Sequence, residues 1–171
     1  SILQEAIEGK LTAKWREQNQ DIEPASVLLK KIQVEKEQLI KEKKIKKTEN
    51  LPKILKDEEL FNKPFNWTFC YIQDLYSVMG GKRVPKEDSL LDTPTKNIYI
   101  RVLNMQNDTI EKRDLKYISD NTFEKIKNYT ISSNDLYITV AGTIGRVGTV
   151  PNYFNNMSLT ENANKLCPIN E

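Results

Sequence analysis

The chain has 171 residues, of which 38% are hydrophobic and 29% charged, with a formal net charge of +2; it is long enough for one domain and an appendage, with the composition of a folded soluble protein and not of a disordered tail. It contains no histidine and two cysteines, Cys70 and Cys167, which excludes Ser-His-Asp and Cys-His catalysis, His-ligated metals and an unaided four-ligand zinc site. No apolar run approaches the ~18 residues of a membrane span, and Glu5 and Glu8 interrupt any signal-like start, so no membrane contact is expected and the expected compartment is the cytoplasm.

The first segment, SILQEAIEGKLTAKW, places Leu3, Ile7 and Leu11 four apart with Ile2 and Ala6 beside them, an apolar stripe at helical spacing. After the polar break REQNQDIE, Pro24 stands where a helix can begin, and Leu28, Ile32, Leu39 and Ile40 recur at three- and four-residue steps in a second amphipathic helix running to about Lys47. Pro52 ends the helical text. Residues 30–56 carry ten lysines against four glutamates; a solvated helix face accounts for such a run, and a partner-binding or phosphate-facing arm is the functional alternative. Neither helix can bury its stripe alone, so each must pack on the other, on the second half or on another chain.

From Phe61 onward the composition changes: five of the six glycines, five of the seven prolines and all five phenylalanines lie here. Short β-like runs alternate with turn signals. In NIYIRVL (97–103) Ile98, Ile100 and Val102 point one way and Tyr99, Arg101 and Leu103 the other, and in DLYITVA Leu136, Ile138 and Val140 share a face. Asn121, with Glu124 three residues on, opens a short helix over 121–128 as a capping box. The expected fold class is α+β: an N-terminal amphipathic helical segment, residues 1–59, followed by a β-rich domain of short strands and few helices, residues 60–171.

The stretch DLYITVAGTIGRVGTV (135–150) holds three glycines three apart, with Arg146 between the second and third. It matches neither Gly-x-x-x-x-Gly-Lys-Ser/Thr nor Gly-x-Gly-x-x-Gly. Ile144-Gly145-Arg146-Val147-Gly148 matches the letters of a KH RNA-binding loop, but that loop joins two helices, whereas here the flanks read as strands. A β-turn needing positive φ is the backbone reading. Enzyme motifs are weak: no Pro-Pro pair serves a methyltransferase motif, and Glu42-Lys43-Lys44 fits a nuclease tail only inside a lysine-rich helix. No catalysis is expected.

The ordered set SILQEAIEGKLTAKW, EPASVLLKKIQVEKEQLIKEKKIKK, FNKPFNWTFCYIQDLYSVMGGKRVPK, NIYIRVLNM, YISDNTFEKIKNYTISSNDLYITVAGTIGRVGTVP and MSLTENANKL resembles the DNA-specificity subunit of type I restriction–modification systems over almost the whole chain. The resemblance implies a non-catalytic subunit with two target-recognition domains, each reading half of a bipartite double-stranded DNA site. Long helices between the domains set the spacer. It implies partners as well: methyltransferase (modification) subunits that bring S-adenosylmethionine, and a nuclease/translocase (restriction) subunit that uses ATP and Mg. No cofactor is expected on this chain itself. One recognition domain is visible where the family has two, and the later Gly-Gly-x-x-Pro-type turn and spacer helix are missing, so residues 60–171 are expected to be a recognition domain incomplete at its C-terminal end. Oligomeric state stays open, self-association included. The rival from another class is a protein–protein docking fragment marked by an exposed apolar stripe.

Under this reading three loops carry candidate DNA contacts. In MGGKRVPKED (79–88), Lys82, Arg83 and Lys86 put three cations within five residues; lysines suit phosphate and an arginine can grip guanine O6 and N7. At the glycine turn, Thr143 and Arg146 are candidates for phosphate or base, the alternative being an exposed arginine on a hairpin. In SLTENANK (158–165), Asn162 and Asn164 have the amide shape that pairs with adenine and Glu161 could accept from cytosine N4, while asparagines equally serve turns. Arg101 either lines a DNA cleft or pairs with a neighbouring acid.

Overall fold

A computed structural model describes residues 1–169 and divides the chain into two units, Ser1–Leu75 with Ile169, and Tyr76–Pro168. In the first, α1 (Ile2–Ile7) is opened by Ser1, whose hydroxyl accepts from the Gln4 amide at 3.4 Å. The expected single helix over residues 1–15 is broken at Gly9, and α2 (Ala13–Gln18) starts only after a 3₁₀ turn, Lys10–Thr12. Arg16 explains the break. Its buried guanidinium donates to the Gly9 carbonyl and to Thr12 Oγ1 (2.6 Å) and lies 5.8 Å from the centre of the Trp67 ring. The α1 stripe is unpacked among the described residues: Ile2, Leu3, Ile7 and Leu11 are all exposed.

Helix α3 (Ala25–Lys41) follows Pro24, and the Ala25 amide donates to the Asn66 carbonyl at 2.9 Å. Its inner face is Leu29, Ile32, Lys36, Leu39 and Ile40; Leu28, expected on that stripe, is exposed. The helix stops short of Lys47 because Lys43 turns left-handed (φ 59°). The Lys44 amide then reaches Leu39 O (2.9 Å) and the Lys43 amide Ile40 O (3.0 Å), the paired bonds that close a helix whose next residues, here several lysines, would crowd like charges. A single turn, α4 (Ile72–Leu75), is capped by Asp74, which accepts from the Tyr71 amide at 2.9 Å. No helix among the described residues is long and apolar enough to cross a membrane.

The second unit is built from short strands: β1 (Tyr76–Gly80), β2 (Ile98–Ile100), β3 (Met105–Gln106), β4 (Thr109–Ile110), β5 (Lys116–Tyr117), β6 (Thr130–Ile131), β7 (Leu136–Thr139), β8 (Val147–Thr149), β9 (Met157–Leu159) and β10 (Ala163–Pro168), with α5 (Asp120–Ile126) between β5 and β6. One sheet has the order β1-β10-β7-β8, all antiparallel; the other is β5-β2-β9-β6, in which only β2 and β9 run parallel; β3 and β4 form a separate hairpin. The main core draws Ile98, Ile100 and Leu159 from one sheet, Tyr137 and Ala163 from the other, and Met105 and Ile110 from the hairpin. The α+β architecture is therefore the one the composition implied.

Details differ from the sequence expectation in informative ways. β2 ends at Ile100, because Asn104 Oδ1 accepts from the Arg101 amide (3.0 Å) and turns Val102–Asn104 into a 3₁₀ turn. β2 is covered on both faces: Ile98 and Ile100 lie in the main core, while Tyr99 packs with Ile118 and Ile126 of the α5 side. On β7 the deeply buried face is Tyr137 and Thr139, not the aliphatic Leu136 and Ile138. The cap of α5 lies two residues before the expected Asn121, since Ser119 accepts from the Thr122 amide at 3.1 Å and so captures the first turn.

Ile100, with no exposed surface, is the test of this core: Ile100→Ala is expected to lose about 3 kcal/mol of unfolding free energy, within the range for a buried aliphatic truncated to alanine. Urea denaturation followed by circular dichroism checks it. Tryptophan emission would not serve, because Trp15 and Trp67 both lie in the first unit.

Candidate nucleic-acid interface

Strand direction gathers the loops. β1 ends at Gly80 beside Asn164 near the start of β10, β7 ends at Thr139 beside Ala163, and β8 begins at Val147 beside Ile138. β2 and β9 run parallel and end together at Ile100 and Leu159, and the Thr160 amide donates to Ile100 O at 3.1 Å. One end of the second unit therefore receives Gly81–Lys86, Arg101–Leu103, Ala141–Arg146 and Thr160–Asn162.

The backbone there is tightly fitted. The Gly81 amide donates to Ala163 O (3.1 Å) and the Lys82 amide to Leu159 O (2.9 Å). A β-carbon on Gly81 would stand 2.0 Å from Thr160 O, so only glycine lets the chain lie on this turn. The Val140 and Ala141 amides both donate to Asn162 O, at 2.9 and 3.2 Å. The glycine stretch is a strand–turn–strand hairpin, with Gly142 and Gly145 at φ 75° and 85°. Gly148 is different, enclosed by Asp108 backbone and the Tyr137 hydroxyl. Buried Thr139 closes the neck of the turn, its hydroxyl donating to Thr143 O while accepting from the Arg146 amide at 2.9 Å.

A shallow depression of about 340 Å³ at this end is lined by Arg83, Tyr99, Arg101, Thr160, Glu161 and Asn162, with Val102 and Leu103 on its wall. Arg83 Nε donates to Glu161 Oε1 at 2.6 Å; Thr160 Oγ1 donates to Oε2 at 3.0 Å, and the Tyr99 hydroxyl lies 2.9 Å from Lys82 O and 3.2 Å from Oε2. Partial burial acts to raise the Glu161 carboxyl, but the hydrogen bonds from Arg83, its own amide, Thr160 and Tyr99 outweigh it and hold the group below its ordinary 4.5. Burial pushes Tyr99 up to about 12, so its hydroxyl remains a donor at neutral pH.

Of the nine residues singled out in the sequence, the depression brings together Arg83, Arg101, Glu161 and Asn162. Arg101 lines the depression and pairs with Asp114, Nη2 to Oδ2 at 2.8 Å, the acid partner being one of the two alternatives open to it in the sequence. Lys82 is exposed beside the depression, its ammonium 5.6 Å from the centre of the Tyr129 ring, and Lys86 is exposed without an ion pair among the described residues. Thr143 is exposed on the hairpin. Arg146 is neither free nor at the tip: it is half-buried, with Nη1 donating to Met105 O at 3.1 Å. Asn164 sits in β10 opposite Ile138 and Gly80, outside the depression. Tyr99 and Thr160 were not singled out. The alternation that sets Tyr99 on the face of Arg101 was the available signal for the first.

Residues 64–170 match the family model described as the type I restriction modification DNA specificity domain, a span that includes every loop at this end. The chain belongs to that family. Among curated proteins, this specificity-domain chain is 34% identical over 148 residues to the type I restriction enzyme EcoAI specificity subunit of Escherichia coli, and 33% identical over 150 residues to the EcoEI specificity subunit of the same organism. Each alignment covers 86% of this chain, which spans 24% of the length of each relative.

Two outcomes follow for the specificity domain. Gly81→Ala forces a β-carbon into backbone and is expected to cost about 3 kcal/mol or more by overpacking, read by urea denaturation. The depressed carboxyl of Glu161 means that the unfolded chain takes up the proton first, so its stabilisation is present above 4.5 and is lost as pH falls through the lower folded value. Wild type should therefore lose more stability than Glu161→Gln on acidification below 4.5, measured by denaturation across that window; equal losses would remove the carboxylate from the account.

Proposed function

We propose that this chain recognises one half of a bipartite double-stranded DNA target in a sequence-specific way, as the specificity part of a type I restriction–modification complex. The observation that carries the reading is the convergence of four separate chain segments at one end of the second unit, where Lys82, Arg83, Lys86, Arg101, Thr143, Glu161 and Asn162 come from different strand ends. Direct readout needs such a surface: side chains of several hydrogen-bonding types on rigid supports, flanked by cations for phosphate. The chain acts by binding and not by catalysis. S-adenosylmethionine, ATP and Mg belong to the methyltransferase and nuclease/translocase subunits that the whole protein recruits. The exposed apolar stripe of α1 is a surface on which such subunits can pack.

Selection of bound duplexes from a random pool, at low and moderate salt, tests the reading. The expected result is a short motif of ~3–5 base pairs that survives added salt. Lys82→Ala and Lys86→Ala should each reduce the salt slope by roughly 1 while leaving the motif unchanged. Sequence-blind binding that vanishes with salt would reduce the surface to a cation patch, and absence of binding would leave a docking role as the function of the chain.

A further inference from the structure

Arg83 and Glu161 are unequal partners. The Arg83 side chain is 76% exposed and that of Glu161 28%. Glu161 is fixed from behind by Thr160 Oγ1 and Tyr99, and the turn that carries it is tied to Ile100 O. Against this fixed carboxylate Arg83 uses Nε alone, and among the described residues neither of its Nη nitrogens is in a hydrogen bond. The planar guanidinium is thus held through Nε, which leaves the N–H groups of both Nη nitrogens without a partner among the described residues on a largely exposed side chain. That pair fits two acceptors side by side, such as a phosphate or the N7 and O6 of guanine.

The geometry points to a guanine-reading site in which Arg83 grips the base edge and Glu161 is the positioning residue that aims it. This rests on the DNA-reading role proposed above and names the base. A phosphate is the poorer ligand here, because the carboxylate 2.6 Å from the guanidinium would repel an anion brought to the same group, whereas a neutral base edge meets no such repulsion. Lys82 and Lys86, free of ion pairs among the described residues, suit phosphate instead. Glu161 in turn has its oxygens engaged by Arg83, Thr160 and Tyr99, so it does not serve as the cytosine acceptor that its residue type alone suggested. The neighbouring Asn162 amide, in no side-chain hydrogen bond among the described residues, is left for an adjacent base.

The test uses the full chain and the duplex obtained by selection, with each guanine replaced in turn by 7-deazaguanine, which lacks the N7 acceptor. One replacement is expected to weaken wild type about five-fold or more. Arg83→Ala, which removes the guanidinium, should be indifferent to that replacement while leaving the salt slope close to that of wild type. Glu161→Gln should lose part of the discrimination, and circular dichroism and thermal melting establish that both variants are folded. The inference is overturned by a selected motif without guanine, by wild-type indifference at every guanine, by full discrimination in Arg83→Ala, or by a fall in its salt slope with discrimination unchanged, which marks a phosphate contact. Full discrimination in Glu161→Gln removes the positioning role. Failure to select any motif overturns the DNA-reading role itself, and the guanine site with it.

Discussion

Only Thr160, Glu161 and Asn162 separate β9, in one sheet, from β10, in the other, and the candidate surface hangs on how that short passage is held. It is pinned from two sides. Ile100 O receives the Thr160 amide, and the backbone of Gly81 lies on the Thr160 carbonyl with no space for a β-carbon. Because these are backbone contacts inside a paired region, they tolerate little relaxation. Lys82 and Arg83 follow Gly81 directly, Arg101 follows Ile100, and Asn162 O takes the amides at the foot of the glycine hairpin. A shift in the passage would displace all of these together.

Charge at this end is arranged locally. Residues 61–171 carry thirteen cations against twelve acids, so the bulk field gives little attraction for a polyanion. What differs among the cations is how each is held. Arg83 and Arg101 are each bound by a carboxylate, Arg146 by the Met105 carbonyl, and Lys82 and Lys86 stand without ion pairs among the described residues. Arginines restrained in this way lose less freedom on binding and keep a direction, whereas long free lysines track a phosphate wherever it lies. The carboxylates that keep net charge low are thus the groups that hold Arg83 and Arg101 in place.

Much of this fold was legible from residue patterns, and the failures share a cause. Alternation located β2 and β7, and the change in composition after Phe61 marked the α+β class. Boundaries slipped where a side chain intercepted the backbone: Asn104 turning the chain after Ile100, Ser119 capping α5 ahead of Asn121, Arg16 folding onto Gly9. Periodicity carries no information about such bonds. At the candidate site the sequence named residues one by one, but what surrounds each of them depends on partners remote in sequence. Glu161 meets Arg83 and Tyr99, 78 and 62 residues away, only through the fold. The hairpin of β3 and β4 left a signal that was available, since Asn107 and Asp108 at φ 51° and 57° are the residue types that form a tight two-residue turn.

The pairing of β1 with β10 joins the first and last strands of the second unit. A ribosome delivers these strands at opposite ends of the unit's synthesis, and β10 is central, flanked by β1 and β7. Until it emerges, β1 has no neighbour and β7 has only β8, so the sheet has a gap where its middle should be. Contacts so distant along the chain form slowly, and Arg83 meets Glu161 only when they do. A nascent chain halted before the last strand would therefore hold both Arg83 and Glu161 but lack the β1–β10 pairing that sets their segments side by side.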